Sequence, residues 1–221
     1  MWQALWDALH DKGLTVMAVA LDEAEAARPW IEQAAPRYPT PIDREHRVAE
    51  LYGIVNVAQA AWIDEAGRIV RPPETAGRFE AFRYRDPATG AVPTDAAARQ
   101  DTAHRVYLDA IRDWAEKGAD SCFVMTPQEA RAHLERPTPE VARAHAHFRL
   151  GMHLRSIGRT PEAERQMAEA SRLHPESWAI WRQAAPKTED GFAADESFWE
   201  RVRALGDRPY YRPTPMAGMP S

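Results

Sequence analysis

Residues 41–72 read PIDREHRVAELYGIVNVAQAAWIDEAGRIVRP, and the reading of this stretch decides the fold. Val48, Leu51 and Tyr52 fall at helical spacing behind Asp43, an N-cap residue type, and Gly53 is where that helix should stop. Residues 60–63 form a short apolar run, and Glu65-Ala66-Gly67-Arg68 is a turn that returns the chain into Ile69 and Val70. Helix, loop, strand, tight turn and strand make a hairpin, which needs other layers to bury its apolar face.

Working outward, Trp2, Leu5, Trp6 and Leu9 recur at i, i+3, i+4 and i+7 and predict an amphipathic helix ended by Gly13. Residues 16–21 are nearly all apolar, as expected of a strand covered on both faces. Asp22 is placed to cap a helix over about 23–35, with Pro29 in its first turn and Trp30, Ile31 and Ala34 facing inward. Residues 72–100 show no clear period and read as a long loop that Phe79, Phe82 and Tyr84 could anchor. A helix resumes over 103–117.

In this order and spacing the residues resemble a thioredoxin-like fold of the TlpA/ResA and AhpC/TSA (redoxin) group. Tyr52-Gly53-Ile54, the run from Ile63 to Val70 and the run from Lys12 to Asp22 carry the resemblance, which spans about residues 1–118. The resemblance implies a cis-proline before the hairpin strand, but Ala58 stands there. It also implies a Cys-x-x-Cys pair at the start of the first helix, and the chain opens at Met1-Trp2-Gln3-Ala4, already inside that helix. The first strand of the group is likewise missing, which should leave the strand at 14–21 with an unpaired edge. The substrate groove of the group corresponds here to a vestigial loop at Asn56, Val57, Ala58 and Gln59.

Three Thr-Pro-Glu/Gln starts, at Thr126, Thr138 and Thr160, predict helices over 127–135, 139–156 and 161–172. In the last two, Gly151, Ala163, Ala170 and Pro175 fall at the spacings of a tetratricopeptide (TPR)-like hairpin, a motif of about 34 residues. A short helix over 195–205 and a Pro-rich tail over 206–221 follow, with Tyr210 and Tyr211 able to dock. The expected organisation is therefore α+β: an incomplete thioredoxin-like α/β domain (1–118, with the insertion at 72–100), then an α-helical TPR-like region (119–205), then the tail.

Candidate chemistry is sparse. Cys122 is the sole cysteine, which excludes an intramolecular disulfide; within the run Ser121–Met125 it reads as buried filler. His145, His147 and His153 share a helix, but their spacing does not converge on one ion, so no metal site is expected. Asp22, Asp43 and Asp64 read as capping and turn residues. Trp2, Trp6, Trp30 and Trp114 read as core, while Trp178, Trp181 and Trp199 either line a peptide groove or pin the tail. No catalytic residue and no cofactor are expected.

A net charge of −5 gives no footprint for nucleic acid, and no apolar run approaches the ~18 residues of a membrane span. A cytoplasmic protein without a signal peptide is expected. Two functions fit. One is a non-catalytic binding or scaffolding protein that takes a protein or peptide on its groove or TPR-like helices, or pairs with a second copy of itself. The other is a thiol–disulfide oxidoreductase or peroxiredoxin-like enzyme whose first strand and redox motif lie outside these 221 residues.

Overall fold

Trp2–Leu9 forms α1, with Leu5 and Leu9 buried, as the helical spacing requires. The computed structural model describes residues 1–86, 88–134, 136–189 and 191–220. Along them run α2 (Ala24–Ala34), α3 (Arg47–Tyr52), β1 (Gln59–Ile63), β2 (Ile69–Thr75), α4 (Thr94–Lys117), α5 (Pro127–His133), α6 (Pro139–Ser156), α7 (Thr160–Leu173), α8 (Trp178–Ala184) and α9 (Glu196–Arg203). The protein is α+β and mostly helical, and its one sheet among the described residues is the β1–β2 pair. None of these helices is long and apolar enough to cross a membrane.

The chain sorts into two units interleaved in sequence. Met1–Val16, Ala58–Leu134 and Val202–Ser221 make the first, and Met17–Val57 and Glu135–Arg201 make the second. Residues 17–57, which the resemblance places with 1–118, therefore group with the helices of the C-terminal half.

In the first unit β1 and β2 pair antiparallel, Gln59 opposite Thr75 and Ile63 opposite Ile69, across the expected turn. Asp64 builds that turn: one carboxylate oxygen accepts the Ala66 and Arg68 N–H groups (3.0 and 2.8 Å), and the other accepts from the Arg68 guanidinium. β2 extends past the predicted Ile69–Val70 through Pro72 and Pro73. In a two-stranded sheet both strands are edges, so a missing N–H is tolerated. Leu5, Leu9, Trp62, Tyr107, Ile111 and Met216 pack together as the core. The Trp62 indole N–H donates to the Tyr107 hydroxyl at 3.0 Å, and its ring stacks on Trp114.

The predicted loop over 72–100 is largely structured. It contains the end of β2, a short 3-10 turn at Ala81–Tyr84 and the first turns of α4, which begins at Thr94 instead of near Ala103. Ala96 and Ala103 are buried with Tyr107 and Ala110, so small residues carry the inward face of α4 there. Gln100 bonds both Phe79 N–H and the Gly77 carbonyl. A Cβ on Gly77 would meet Tyr107 Cβ at 3.0 Å, and its φ of +63° already favours glycine.

The same segment clamps the tail. Arg83 donates to the Arg208 and Gly206 carbonyls, Glu80 accepts from Tyr210 N–H, and the Phe82 ring meets the Tyr210 ring edge-on. Thr75 exchanges bonds with Arg212 and Thr214, and Met216 reaches the core.

In the second unit α6 and α7 form the expected hairpin, with boundaries within one or two residues of those predicted. A Cβ on Gly151 would meet Met167 Cγ at 3.0 Å and the Ala163 carbonyl at 3.2 Å, so the two helices approach as closely as the small residues allow. Phe148, Met167, Ala170 and Ile180 of α8 form the core. Trp178 is buried against Trp181 and Phe198, with the Arg201 guanidinium over both indoles.

Five further expectations are corrected. Residues 16–21 are not a strand covered on both faces: Met17 is exposed, and only an isolated parallel bridge joins Ala20 to Ile42. Ala18 and Ala20 donate to the Pro39 and Pro41 carbonyls and Ala20 accepts from Asp43 N–H, but Pro41 has no N–H to return to the Ala18 carbonyl, so the ladder stops there. Asp22 does not cap α2, whose N-cap is Glu23 without a side-chain bond; the Asp22 carboxylate accepts from Gln183 instead. Pro29 lies inside α2, not in its first turn, and Trp30 is 52% exposed beside Phe192. Cys122 is exposed in a turn between α4 and α5, because Ser121 takes the buried position and donates to Asp113.

Candidate functional site

The loop over 56–59, which the resemblance likens to a substrate groove, is held by backbone and amide contacts. Val55 accepts the Ala179 N–H at 3.0 Å. Asn56 is buried, and its Oδ1 accepts from Val57 N–H and from Arg182, both at 2.9 Å. Val57 is exposed. Ala58 accepts from Ala76 N–H, and Gln59 pairs with Thr75 at the head of β1. Asn56 and Val57 thus close the second unit's first segment, and Ala58 and Gln59 open a segment of the first unit. None of the four side chains is a nucleophile or titrates near neutrality.

The remaining candidates from the sequence stay apart. Cys122 and its neighbour Lys117, an exposed cation paired with Asp113, belong to the first unit. His147 bonds the Gln166 side chain at 2.6 Å, whereas His153 is exposed. Asp43 does start α3, although from four residues upstream: its carboxylate accepts the Arg47, Val48 and Ala49 N–H groups at 2.7, 2.8 and 3.1 Å. Among the described residues no group of three or more His, Cys, Asp or Glu side chains could hold a metal ion.

Two buried polar clusters were not singled out by the sequence. In the first unit Arg71 and Glu74 form a bidentate pair (2.7 and 2.9 Å), and Arg71 also donates to the Phe123 and Pro215 carbonyls. Its guanidinium lies 5.4 Å from the Trp62 ring centre. Burial pushes the Glu74 carboxyl above its ordinary range against the pull of Arg71, and burial followed by the Glu74 charge raises the Tyr107 hydroxyl. Each Arg71 side-chain nitrogen and both Glu74 carboxylate oxygens have a partner, as expected of a structural pair.

In the second unit His46, Glu50, His145, Arg149 and His174 come together from α3, α6 and the end of α7. Arg149 bonds the Glu50 carboxylate, which Arg47 also holds at 2.8 Å. Burial raises the Glu50 carboxyl, but the Arg47 bond and the Arg149 charge outweigh it, leaving Glu50 below its usual range. The signal for this cluster was present: His145 stands at the inward spacing of α6, between Val141 and Phe148.

Compared with known proteins, residues 1–71 match the model of the AhpC/TSA family. That stretch runs from α1 to the start of β2 and supports the redoxin resemblance there. No curated protein and no solved structure matches the chain.

Proposed function

We propose that this redoxin-like chain binds a protein or peptide and does not carry out thiol catalysis. The observation behind this reading is that residues 1–71, the stretch similar to AhpC/TSA proteins, contain no cysteine, while the sole thiol, Cys122, sits in an exposed turn far along the chain. A reactive thiolate is favoured by a helix N-terminus or a nearby cation, and turnover needs a resolving thiol as well, which a chain with one cysteine does not supply. The groove loop Asn56–Gln59 supplies neither. The α6–α7 hairpin, read as TPR-like, is the surface proposed to take the partner, either a peptide or a second copy of the chain. The TlpA/ResA-like subgroup and a cytoplasmic setting complete the reading.

The test is turnover. Reduced wild-type protein and Cys122→Ser are each given hydrogen peroxide, and separately insulin, with dithiothreitol as reductant. The reading predicts equal rates for the two proteins in both assays. Faster peroxide loss or insulin reduction by wild type would overturn it.

A second reading has one observation on its side. Ala18 and Ala20 bond to residues 39–41 along one side only, and no backbone partner is seen for Val19 among the described residues. In an enzyme of the thiol–disulfide oxidoreductase or peroxiredoxin type, a strand from outside these residues would lie there and carry the thiols. Protein isolated from its natural source with a mass well above 24.9 kDa and additional cysteines would favour this alternative.

A further inference from the structure

We propose that His46 and His145 act as an acid-sensitive latch within the second unit, seating α3 on α6 while neutral and releasing it when protonated. His46 precedes α3 in a left-handed conformation (φ +53°), is 1% exposed, and lays its ring 4.5 Å from Phe148 of α6. Its Nε2 lies 2.9 Å from the Leu21 carbonyl oxygen. A carbonyl only accepts, so Nε2 must carry the hydrogen and Nδ1 is a bare lone pair. That Nδ1 is buried and has no partner among the described residues.

His145 lies one turn before Phe148 on α6, is 7% exposed, and its buried Nδ1 has no partner among the described residues. Protonating His46 Nδ1 creates a charged N–H where no acceptor waits, and a charged His145 holds an unpaired N–H at its buried Nδ1 as well, which is the costly case of a buried unsatisfied charge. Nonpolar side chains would fill both positions without that liability.

The charges facing the two rings do not rescue the protonated forms. His145 faces Glu50 from α3, which favours its cation, but Arg149 and His174 oppose it, as does His46. Glu50 is already committed to Arg149 and Arg47. His46 faces Asp43 and Asp22, but Asp43 spends its oxygens on three N–H groups of α3. Burial accordingly pushes both imidazoles below the ordinary histidine range, His145 to about 4.

The sign follows from linkage. An unfolded histidine takes its proton near pH 6.5, whereas folded His145 resists until about 4, so the unfolded chain binds more protons in that window. Stability is full above the upper value and falls as pH drops through the window. His145 alone should raise the unfolding constant roughly thirtyfold between pH 7.5 and pH 5.

The test uses the whole chain. Urea unfolding is measured at pH 7.5, 6.5, 5.5 and 5.0 for wild type, His145→Leu, His145→Gln and the control His147→Gln. The latch predicts that both His145 variants lose the roughly thirtyfold share of the change that belongs to His145, while the control keeps it. Should the variants fail to fold, the imidazole NMR titration of the wild type decides. Resonances of His46 and His145 that stay neutral at pH 5.5 support the latch. His145 variants with the wild-type pH profile, or a His145 that titrates near pH 6.5, would overturn it.

Discussion

The main buried polar cluster of each unit is satisfied in a different way. The first unit buries Arg71 and Glu74 as a matched pair with every arm bonded. The second buries two imidazoles, each with one nitrogen left bare. Their responses to acid differ in sign. A raised Glu74 carboxyl means the folded first unit binds more protons than its unfolded chain, so this contribution is fully present at low pH and fades as pH rises through the folded value. The lowered histidines of the second unit lose stability as pH falls below about 6.5. Glu50, also held low, adds to that loss as pH falls further, below the range of ordinary carboxylates. Equal burial therefore gives these two clusters opposite responses to acid, and His104 of the first unit, with a buried Nε2 that has no partner among the described residues and an imidazole lowered by burial, sides with the histidines of the second.

The sharpest way to break the contrast is to orphan a charge in the first unit. Glu74→Gln or Arg71→Met should cost about 3–5 kcal/mol in chemical denaturation, because the surviving partner is left buried and unpaired. The double change Arg71→Met with Glu74→Leu should cost much less than the two singles summed, since no uncompensated charge remains.

Next in size is the helix approach in the second unit. Gly151→Val would push against Met167 and the Ala163 carbonyl, and should cost about 1–3 kcal/mol, read by thermal unfolding. Asp43→Ala removes the acceptor of three N–H groups at the start of α3 and should cost about 1–2 kcal/mol. Its local signature would be faster hydrogen exchange at Arg47, Val48 and Ala49. The smallest effect belongs to Cys122→Ser, within about 0.5 kcal/mol of wild type. Ellman's reagent should titrate Cys122 in the native protein, as its exposure requires.

Much of the fold was legible from residues 41–72 because strong local signals agreed there: Gly53 ends α3, and Asp64 to Arg68 builds the turn of the hairpin. Helices opened by Thr126-Pro127 and Thr138-Pro139 were equally clear, since a cap and a pre-set φ sit together, whereas Thr160 lies inside α7, whose N-cap is Arg159 without a side-chain bond. The first turns of α4 were missed because Ala96 and Ala103, the buried residues there, are too small to register as a hydrophobic stripe. The strand over 16–21 was overcalled because its apolar run was legible while the prolines opposite it, which starve the ladder of donors, act only in three dimensions. Docking of the tail depended on Thr75, Glu80 and Arg83 meeting residues more than a hundred positions away. The histidine cluster was half legible: His145 holds an inward position on α6, but its neighbours Glu50 and His174 come from other elements.

One experiment addresses the contrast between the units directly. The indole N–H resonances of Trp62, bonded to Tyr107 in the first unit, and of Trp178, buried in the second, are followed by NMR while pH is lowered from 7.5 to 4.5. The account predicts that Trp178 leaves its native position at a higher pH than Trp62, and that His145→Leu shifts only the Trp178 transition to lower pH. Simultaneous loss of both resonances, or loss of Trp62 first, would contradict it.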